Sequence, residues 1–241
     1  SALWEDAYVL AEWLSRQASP AETQAPHLPR AWRRLRSWSG LTAVELGAGL
    51  GLVAVVAQRL GLHVTATDGD ESVLELLRAN AIANGCDRAG GVRVCQLRWG
   101  TESPAESLGL SRPPDLVLAT GCVYGGEKEV WDALARTVHA LSAPHTLVLL
   151  AHGTGAAPGV HSFRGDFYEQ VAASFDVARV EQHTLHPEHR GCQIHALTRR
   201  EGEGSSSNGT RAQGERDRSV SKASQKAKRT SVAQDHPAAL S

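Results

Sequence analysis

Methionine is absent from this 241-residue sequence, and lysine occurs only four times. Because the chain starts at Ser1 and contains no methionine, we expect that further residues precede it in the full protein. Lys222, Lys226 and Lys228 all lie beyond residue 200, so residues 1–200 carry their positive charge almost entirely on arginine. The net charge of −1 gives no signal for binding to nucleic acid or to a membrane surface.

Patterns typical of metal sites and of membrane spans are also missing. The sequence has four cysteines that form no CxxC pair: Cys86, Cys95, Cys122 and Cys192. His183, His186 and His189 are spaced by three, but Pro187 breaks any helix that would bring them together, so we predict no metal site. No apolar run reaches the roughly 20 residues that cross a bilayer, so no membrane association is expected. We interpret the cysteines as buried thiols of a reducing compartment, which predicts a cytoplasmic location, with the nucleus as the alternative.

Composition divides the chain near residue 200. Residues 201–241 have no aromatic side chain and few large aliphatic ones, so they cannot bury enough surface to offset the entropy cost of ordering. We predict a disordered basic and serine-rich tail there. Its cluster at 226–229 is interpreted as solvated charge, with a nuclear-import signal or an RNA-binding patch as alternatives. Residues 1–200 are predicted to form the single folded domain.

Strand-like and helix-like segments alternate through residues 1–200, which predicts an α/β fold with a parallel sheet. The predicted strands are 41–46, 63–67, 92–97, 116–120, 146–151, 177–185 and 192–198. The predicted helices are 3–14, 31–38, 50–60, a segment from about residue 71 to residue 84, 127–141 and 167–175. The last two strands are joined by a short turn without a helix, so they must pair antiparallel. This ending fits a Rossmann-like, seven-stranded methyltransferase sheet with a C-terminal antiparallel hairpin better than it fits a dehydrogenase.

A glycine-rich turn, Glu45-Leu46-Gly47-Ala48-Gly49-Leu50-Gly51, joins the first predicted strand to a helix. Gly47 and Gly49 permit a sharp bend and let backbone amides approach a ligand at the helix N-terminus. The dinucleotide fingerprint requires its third glycine at position 52, which is Leu52 here. Glu45 would repel a pyrophosphate but suits the cationic methionyl end of S-adenosylmethionine. The turn therefore predicts an S-adenosylmethionine cradle, with a ligand-free turn as the alternative.

Asp68 ends the second predicted strand, nineteen residues after Gly49 (68 − 49). An acid at this place in a Rossmann-type site accepts hydrogen bonds from ribose hydroxyls. Its alternative role is to cap the next helix, although Asp70 and Glu71 already offer caps. Asp68 thus predicts nucleoside binding without distinguishing S-adenosylmethionine from NAD.

Taken together and in this order, the motifs resemble those of methyltransferase-like family 16, small seven-stranded protein methyltransferases. The similarity spans nearly all of residues 2–199. Its motifs are Leu3-Trp4-Glu5-Asp6-Ala7, the glycine turn, Thr67-Asp68, Leu77-x-x-Asn80-x-x-x-Asn84, Leu97-Arg98-Trp99-Gly100 and the segment from Leu116 to Tyr124. The resemblance implies S-adenosylmethionine as cofactor and a partner protein as substrate. It implies methylation of lysine first, with histidine and arginine left open, and we expect a monomer that does not act on nucleic acid.

The same resemblance implies roles for single residues. Trp4 is expected near the cofactor and Trp99 beside its adenine, while Ala119, at the end of the fourth strand, belongs to the cofactor site. Tyr124 is the candidate catalytic residue, at the rim of the acceptor pocket. An ordinary half-buried tyrosine at a strand end is the alternative for Tyr124.

One position departs from the family pattern. The acid of the family's D-x-x-Y motif is Gly121 here, whereas a carboxylate at this edge would orient the cofactor or hold an incoming amine. A second hypothesis is therefore a catalytically weakened or inactive methyltransferase fold that binds a cofactor or a partner. A third, an NAD-dependent oxidoreductase, is disfavoured by Glu45, by Leu52 and by the motif at 97–100.

Overall fold

The structure, a computed structural model, describes residues 4–17, 38–88, 90–123, 127–153, 160–189 and 191–201. These residues include one sheet of seven strands: β1 (Thr42–Leu46), β2 (His63–Asp68), β3 (Val92–Gln96), β4 (Leu116–Thr120), β5 (Leu147–Gly153), β6 (Phe175–Arg179) and β7 (Cys192–Arg199). The strand order is β3-β2-β1-β4-β5-β7-β6, and β7 is antiparallel to both of its neighbours. The predicted seven-stranded sheet with its antiparallel ending is confirmed.

Helices cover both faces of the sheet. They are α1 (Glu5–Gln17), α2 (Leu52–Arg59), α3 (Glu71–Ala83), α4 (Pro104–Ser107), α5 (Lys128–Leu141) and α6 (Val160–Ala172). Alternate side chains of a strand point to opposite faces. Accordingly, Leu116 and Leu118 of β4 pack in the core with α1, α2 and α3, whereas Val117 and Ala119 pack in the core with α5 and α6. Strands buried on both faces explain why the sequence shows continuous apolar runs instead of alternation.

The centre of the sheet determines where a ligand can bind. β1 lies between β2 and β4 and is parallel to both, and Leu46 at its end pairs with Ala119 of β4. After β1 the chain continues to β2 on one side of β1, whereas after β4 it continues to β5 on the opposite side of the sheet. Such a reversal opens a crevice beyond the carboxyl ends of the two strands, where open α/β sheets bind ligands.

The end of β2 also shows which residue caps the following helix. Asp70 precedes α3, and its carboxylate accepts hydrogen bonds from the Ser72 backbone N–H at 2.9 Å and hydroxyl at 2.8 Å. Of the two predicted caps, Asp70 and Glu71, Asp70 is the N-cap of α3. Asp68 is therefore not needed as the cap and remains at the edge of the crevice.

Helix α4 was not predicted, and three other elements differ clearly from the sequence prediction. Helix α6 spans Val160–Ala172 instead of 167–175, because Phe175 is the buried first residue of β6. Strand β6 ends at Arg179, and two short 3₁₀ turns, Gln182–Thr184 and Pro187–His189, replace the rest of the predicted strand and its short turn. Strand β5 extends to Gly153 because Gly153 pairs with Cys192 of β7. In each case tertiary pairing overrides local apolar spacing.

Several expectations concern residues that the structure does not describe. They are most of the predicted helix at 31–38, the catalytic candidate Tyr124 and nearly all of the predicted tail, so these stay predictions. The cysteines are free thiols, and Cys86, Cys122 and Cys192 are buried as expected, but Cys95 is only half-buried, on strand β3. Within the described ranges, no helix is both long and apolar enough to cross a membrane.

Candidate functional site

A cleft of about 1090 Å³ lies at the crevice beyond β1 and β4. Five of the residues predicted from the sequence to bind the cofactor line it: Trp4, Gly47, Gly49, Asp68 and Trp99. Two others, Glu45 and Ala119, are 1% exposed within their strands and do not belong to the described lining. The fold thus brings most of the predicted site to one place, although its members are almost 100 residues apart in sequence.

The glycine turn forms one wall of the cleft. A Cβ atom at Gly47 would lie 2.8 Å from Cys122 Sγ and 3.2 Å from the Trp99 ring, so a side chain there has no room. At Gly49, in contrast, a Cβ atom would meet no atom of the described residues within 4 Å, and this position lines the cleft. A ligand can therefore approach the backbone at Gly49 directly, which fits the cradle expected for an adenosyl cofactor.

Asp68 connects β2 to this wall. One of its carboxylate oxygens accepts a hydrogen bond from the Gly49 backbone N–H at 3.2 Å, and the other accepts one from the Asp70 N–H at 3.1 Å. The carboxylate is half-buried and lines the cleft. Each oxygen has a second lone pair, so Asp68 can hold the glycine turn in place and still accept hydrogen bonds from a ligand.

Glu45 lies beneath the turn and not in its wall. Neither of its carboxyl oxygens makes a hydrogen bond of standard geometry among the described residues, although the Ala54 backbone amide is near enough to act on the carboxyl group. Burial raises the pKa of Glu45 to about 8, an increase that the Ala54 amide opposes in part and the charge of Asp68 reinforces. The side chain is thus predominantly protonated at neutral pH in the absence of a cation. Its predicted role toward the cofactor remains a prediction.

The end of β4 forms the opposite wall, from Thr120 to Val123. Cys122 donates its thiol hydrogen toward the carbonyl of Leu46 at 3.3 Å, which connects this wall to the end of β1. Burial raises the pKa of Cys122 strongly, so it stays a thiol and serves packing. Tyr124 follows directly but lies outside the described residues.

Sequence reasoning missed several residues of the cleft. Asp6 belongs to the Trp4 motif, and Glu129 lies in the first turn of α5, yet neither carries a pattern that singles it out. His152, one residue beyond the predicted end of β5, lies within that strand and is 3% exposed, with its ring stacked 5.2 Å from that of His195.

The charge in the cleft is predominantly negative. Among the lining residues that the structure describes, Asp6, Asp68 and Glu129 are acidic, and so is Glu5, whose carboxylate pairs with His189 at 2.6 Å. Arg98 is the basic member of that group. Such a lining favours a cationic ligand. In the part of the chain that the structure describes, no cluster of three or more His, Cys, Asp or Glu residues could hold a metal ion.

Solved structures share this fold. A TehB-like SAM-dependent methyltransferase from Corynebacterium glutamicum has a TM-score of 0.53 and 14% identity, with 79% of this chain and 87% of that chain covered. An O-methyltransferase from Bacillus cereus, solved in complex with SAH, has a TM-score of 0.51 and 15% identity, with 79% and 90% covered. At these identities the likeness concerns the architecture.

Relatives in sequence are more informative. Protein N-lysine methyltransferase METTL21A of Danio rerio is 42% identical over 115 residues, 46% of this chain and 49% of that protein. EEF1A lysine methyltransferase 3 of Xenopus tropicalis is 30% identical over 142 residues, 59% of this chain and 60% of that protein. METTL21A of Xenopus tropicalis is 30% identical over 179 residues, 74% and 69% of the two chains. The matches to the first two cover only about half to three-fifths of the length of those relatives.

The family model described as Lysine methyltransferase matches residues 1–158. That range includes the glycine turn, Asp68, Trp99 and the end of β4, which are the parts that build the cleft. The match and the fold agree with the resemblance seen in the motifs. The chain belongs to the lysine methyltransferase family.

Proposed function

We propose that this chain is an S-adenosylmethionine-dependent methyltransferase that modifies a lysine side chain of a partner protein. The observation that carries the proposal is the acidic cleft at the centre of the sheet, where the open Gly49 backbone and the Asp68 carboxylate lie side by side. An adenosyl group matches both, because its ribose offers hydroxyl donors to Asp68. The membership of the lysine methyltransferase family supports the same choice.

When bound, S-adenosylmethionine supplies a methyl group on a cationic sulfonium sulfur. The chain's own residues would hold and orient that donor: the turn at Gly47 and Gly49 offers an open backbone, Asp68 would accept hydrogen bonds from its ribose, and Trp99 offers an aromatic wall. Beyond this, direct displacement requires alignment and exclusion of water more than covalent catalysis. Cys122 and the protonated Glu45 add no nucleophile, since burial keeps both side chains neutral.

The acceptor must reach the cleft as a neutral amine. Trp4 lines this cleft and is 70% exposed, so it borders the cleft mouth. A lysine side chain is long and slender enough to enter there. The exposed indole offers an apolar surface to the aliphatic part of that side chain, and the carboxylates of the cleft accept hydrogen bonds from its nitrogen. A protein substrate is favoured over nucleic acid because the negative lining would repel phosphates.

Cofactor binding is tested by titrating S-adenosylhomocysteine, and NAD in parallel, into the wild type and into Asp68→Ala. We expect binding of S-adenosylhomocysteine only, weakened at least tenfold by Asp68→Ala, because the variant removes the ribose acceptor and the hydrogen bond to Gly49. Asp68→Asn keeps one acceptor oxygen and should bind with intermediate affinity. Asp70→Ala is the matched control, since it removes a neighbouring acid that caps α3 and does not line the cleft. Equal affinity in wild type and Asp68→Ala would contradict the ribose role.

Methyl transfer is tested by incubating the protein with labelled S-adenosylmethionine and a proteome, and then identifying the labelled residue by mass spectrometry. We expect methyl-lysine. Label on histidine or arginine would support the methyltransferase activity and show that lysine is not the acceptor residue. The second candidate function, a silent module, is favoured by the glycine at position 121. Binding of S-adenosylhomocysteine without any transfer would establish that alternative.

A further inference from the structure

The first turn of α1 places a carboxylate against the end of β4. Asp6 lines the cleft, and one of its carboxylate oxygens, Oδ2, lies 3.4 Å from the position that a Cβ atom would occupy at Gly121. Apart from its chain neighbours, no other atom of the described residues lies within 4 Å of that position. The space beside Gly121 is therefore filled by the carboxylate of a residue that is 115 positions away in sequence.

A buried thiol holds this carboxylate in place. Cys192, the first residue of β7, donates a hydrogen bond from Sγ to Oδ1 of Asp6 at 3.3 Å. Burial, together with the hydrogen bond to Asp6, raises the pKa of Cys192 to about 12, so the donor keeps its hydrogen at neutral pH. Since the thiol engages Oδ1, the other oxygen is directed toward Gly121 and the cleft.

The charge of Asp6 is not matched by a cation within the described part of the chain. The neighbouring Glu5 pairs with His189, whereas Asp6 has no ion pair among the described residues. A carboxylate that faces a cleft without a cation favours a cationic group of a ligand there. Unlike Glu5, which lies in the same turn, Asp6 can meet that group without first breaking an ion pair.

The sheet order indicates which part of a bound cofactor lies near Asp6. Asp68 ends β2 and Gly121 follows β4, with β1 between them, so the two positions are two strand spacings apart, about 10 Å. With the ribose at Asp68, the nucleoside occupies the β2 side of the cleft. The β4 side is then left for the sulfonium end and for the amine that meets it.

We propose that Asp6 supplies, from helix α1, the carboxylate that Gly121 lacks at the end of β4, and that it faces the cationic centre of the bound donor and the incoming amine. This inference rests on the proposed function. A carboxylate from either position would occupy the same space. An aspartate at 121 would extend its carboxyl carbon about 1.5 Å beyond Cβ, to where the Asp6 carboxylate lies.

The test compares two ligands that differ in charge at the position of the transferred methyl group. Sinefungin carries a protonated amine there, and S-adenosylhomocysteine carries nothing. We expect Asp6→Asn, which preserves shape, to lower the ratio of sinefungin affinity to S-adenosylhomocysteine affinity by about tenfold or more, the scale of one charge-assisted hydrogen bond. Asp70→Asn is the matched control, the same substitution at an acid that caps α3 and does not line the cleft, and its ratio should fall by less than threefold.

The double variant Asp6→Ala/Gly121→Asp provides the decisive arm, because alanine at position 6 frees the space that a carboxylate at position 121 needs. With a carboxylate restored from β4, the ratio should return to within about threefold of the wild type, and thermal unfolding confirms that each variant is folded. An unchanged ratio in Asp6→Asn overturns the inference, and so does an equal loss of affinity for both ligands, which is the result of a merely structural role. A ratio that falls and is not recovered by Gly121→Asp also overturns it. If the wild type binds neither ligand, the proposed function itself fails.

Discussion

Replacement of Gly51 by alanine tests the packing of the glycine turn quantitatively. Gly51 precedes α2 with φ of 83°, in the left-handed region where an L-residue costs about 1–2 kcal/mol. The added Cβ atom would also lie 2.3 Å from Cδ1 of Leu77 on α3. Leu77 is 1% exposed, so its side chain cannot turn away without displacing neighbours, and such overpacking costs about 1–3 kcal/mol. We expect Gly51→Ala to lower the free energy of unfolding by about 2–5 kcal/mol.

Gly40 is a matched control for this change. Its φ is 81°, nearly the same, but a Cβ atom there would meet no atom within 4 Å in the part of the chain that the structure describes. Gly40→Ala should therefore cost only the backbone contribution of about 1–2 kcal/mol. Urea denaturation followed by circular dichroism measures both variants, and equal m-values would show that the unfolded states are comparable. If Gly51→Ala loses no more stability than Gly40→Ala, then Leu77 yields without cost and the packing argument is wrong.

Two further predictions concern the dependence of stability on pH. The pKa of Glu45 is about 8 in the folded state, whereas the ordinary value for a glutamate is 4.5. Wild-type stability should fall as pH rises between these values, because only the folded state keeps the proton. Glu45→Gln should abolish that fall in urea denaturation at pH 5 and pH 8, and the same fall in both proteins would refute the protonated state. Burial would raise the pKa of Asp115, but hydrogen bonds from Arg112 and Thr42 outweigh it and lower that pKa from 3.8 to about 2. Asp115→Ala should thus lower the free energy of unfolding by about 1.5–3 kcal/mol at pH 7. This difference between wild type and variant should shrink as pH falls toward 2. A difference that stays constant with pH would contradict the argument.

The central elements of the fold were predictable because their patterns are local. Strand β4 matches its predicted bounds, and the Asp70 cap follows from short-range hydrogen bonding. The C-terminal third was less predictable. Leu185 is buried although it lies in no strand, so its apolar character suggested a longer β6 than the structure contains. Burial alone does not distinguish a strand from a turn packed against the core.

The residues of the site also fall into those that could be predicted from the sequence and those that could not. Gly47, Gly49 and Asp68 were found from sequence because the turn and the acid at the next strand end form a pattern of fixed spacing. Glu45 belongs to that pattern too, yet its burial and raised pKa depend on what packs over β1. A spacing rule identifies residue types but does not report exposure.

The sequence by itself determined the α/β class, the glycine turn and its acidic partner, because each depends on residues that are close along the chain. Only the tertiary structure decided what lies beside Gly121. In the sequence this position has lost the family's acid, whereas in the fold α1 packs against α2 and β5, and its first turn brings the Asp6 carboxylate to the same space. A contact across 115 positions leaves no periodicity or spacing in the sequence, since it depends on how a helix packs on a sheet.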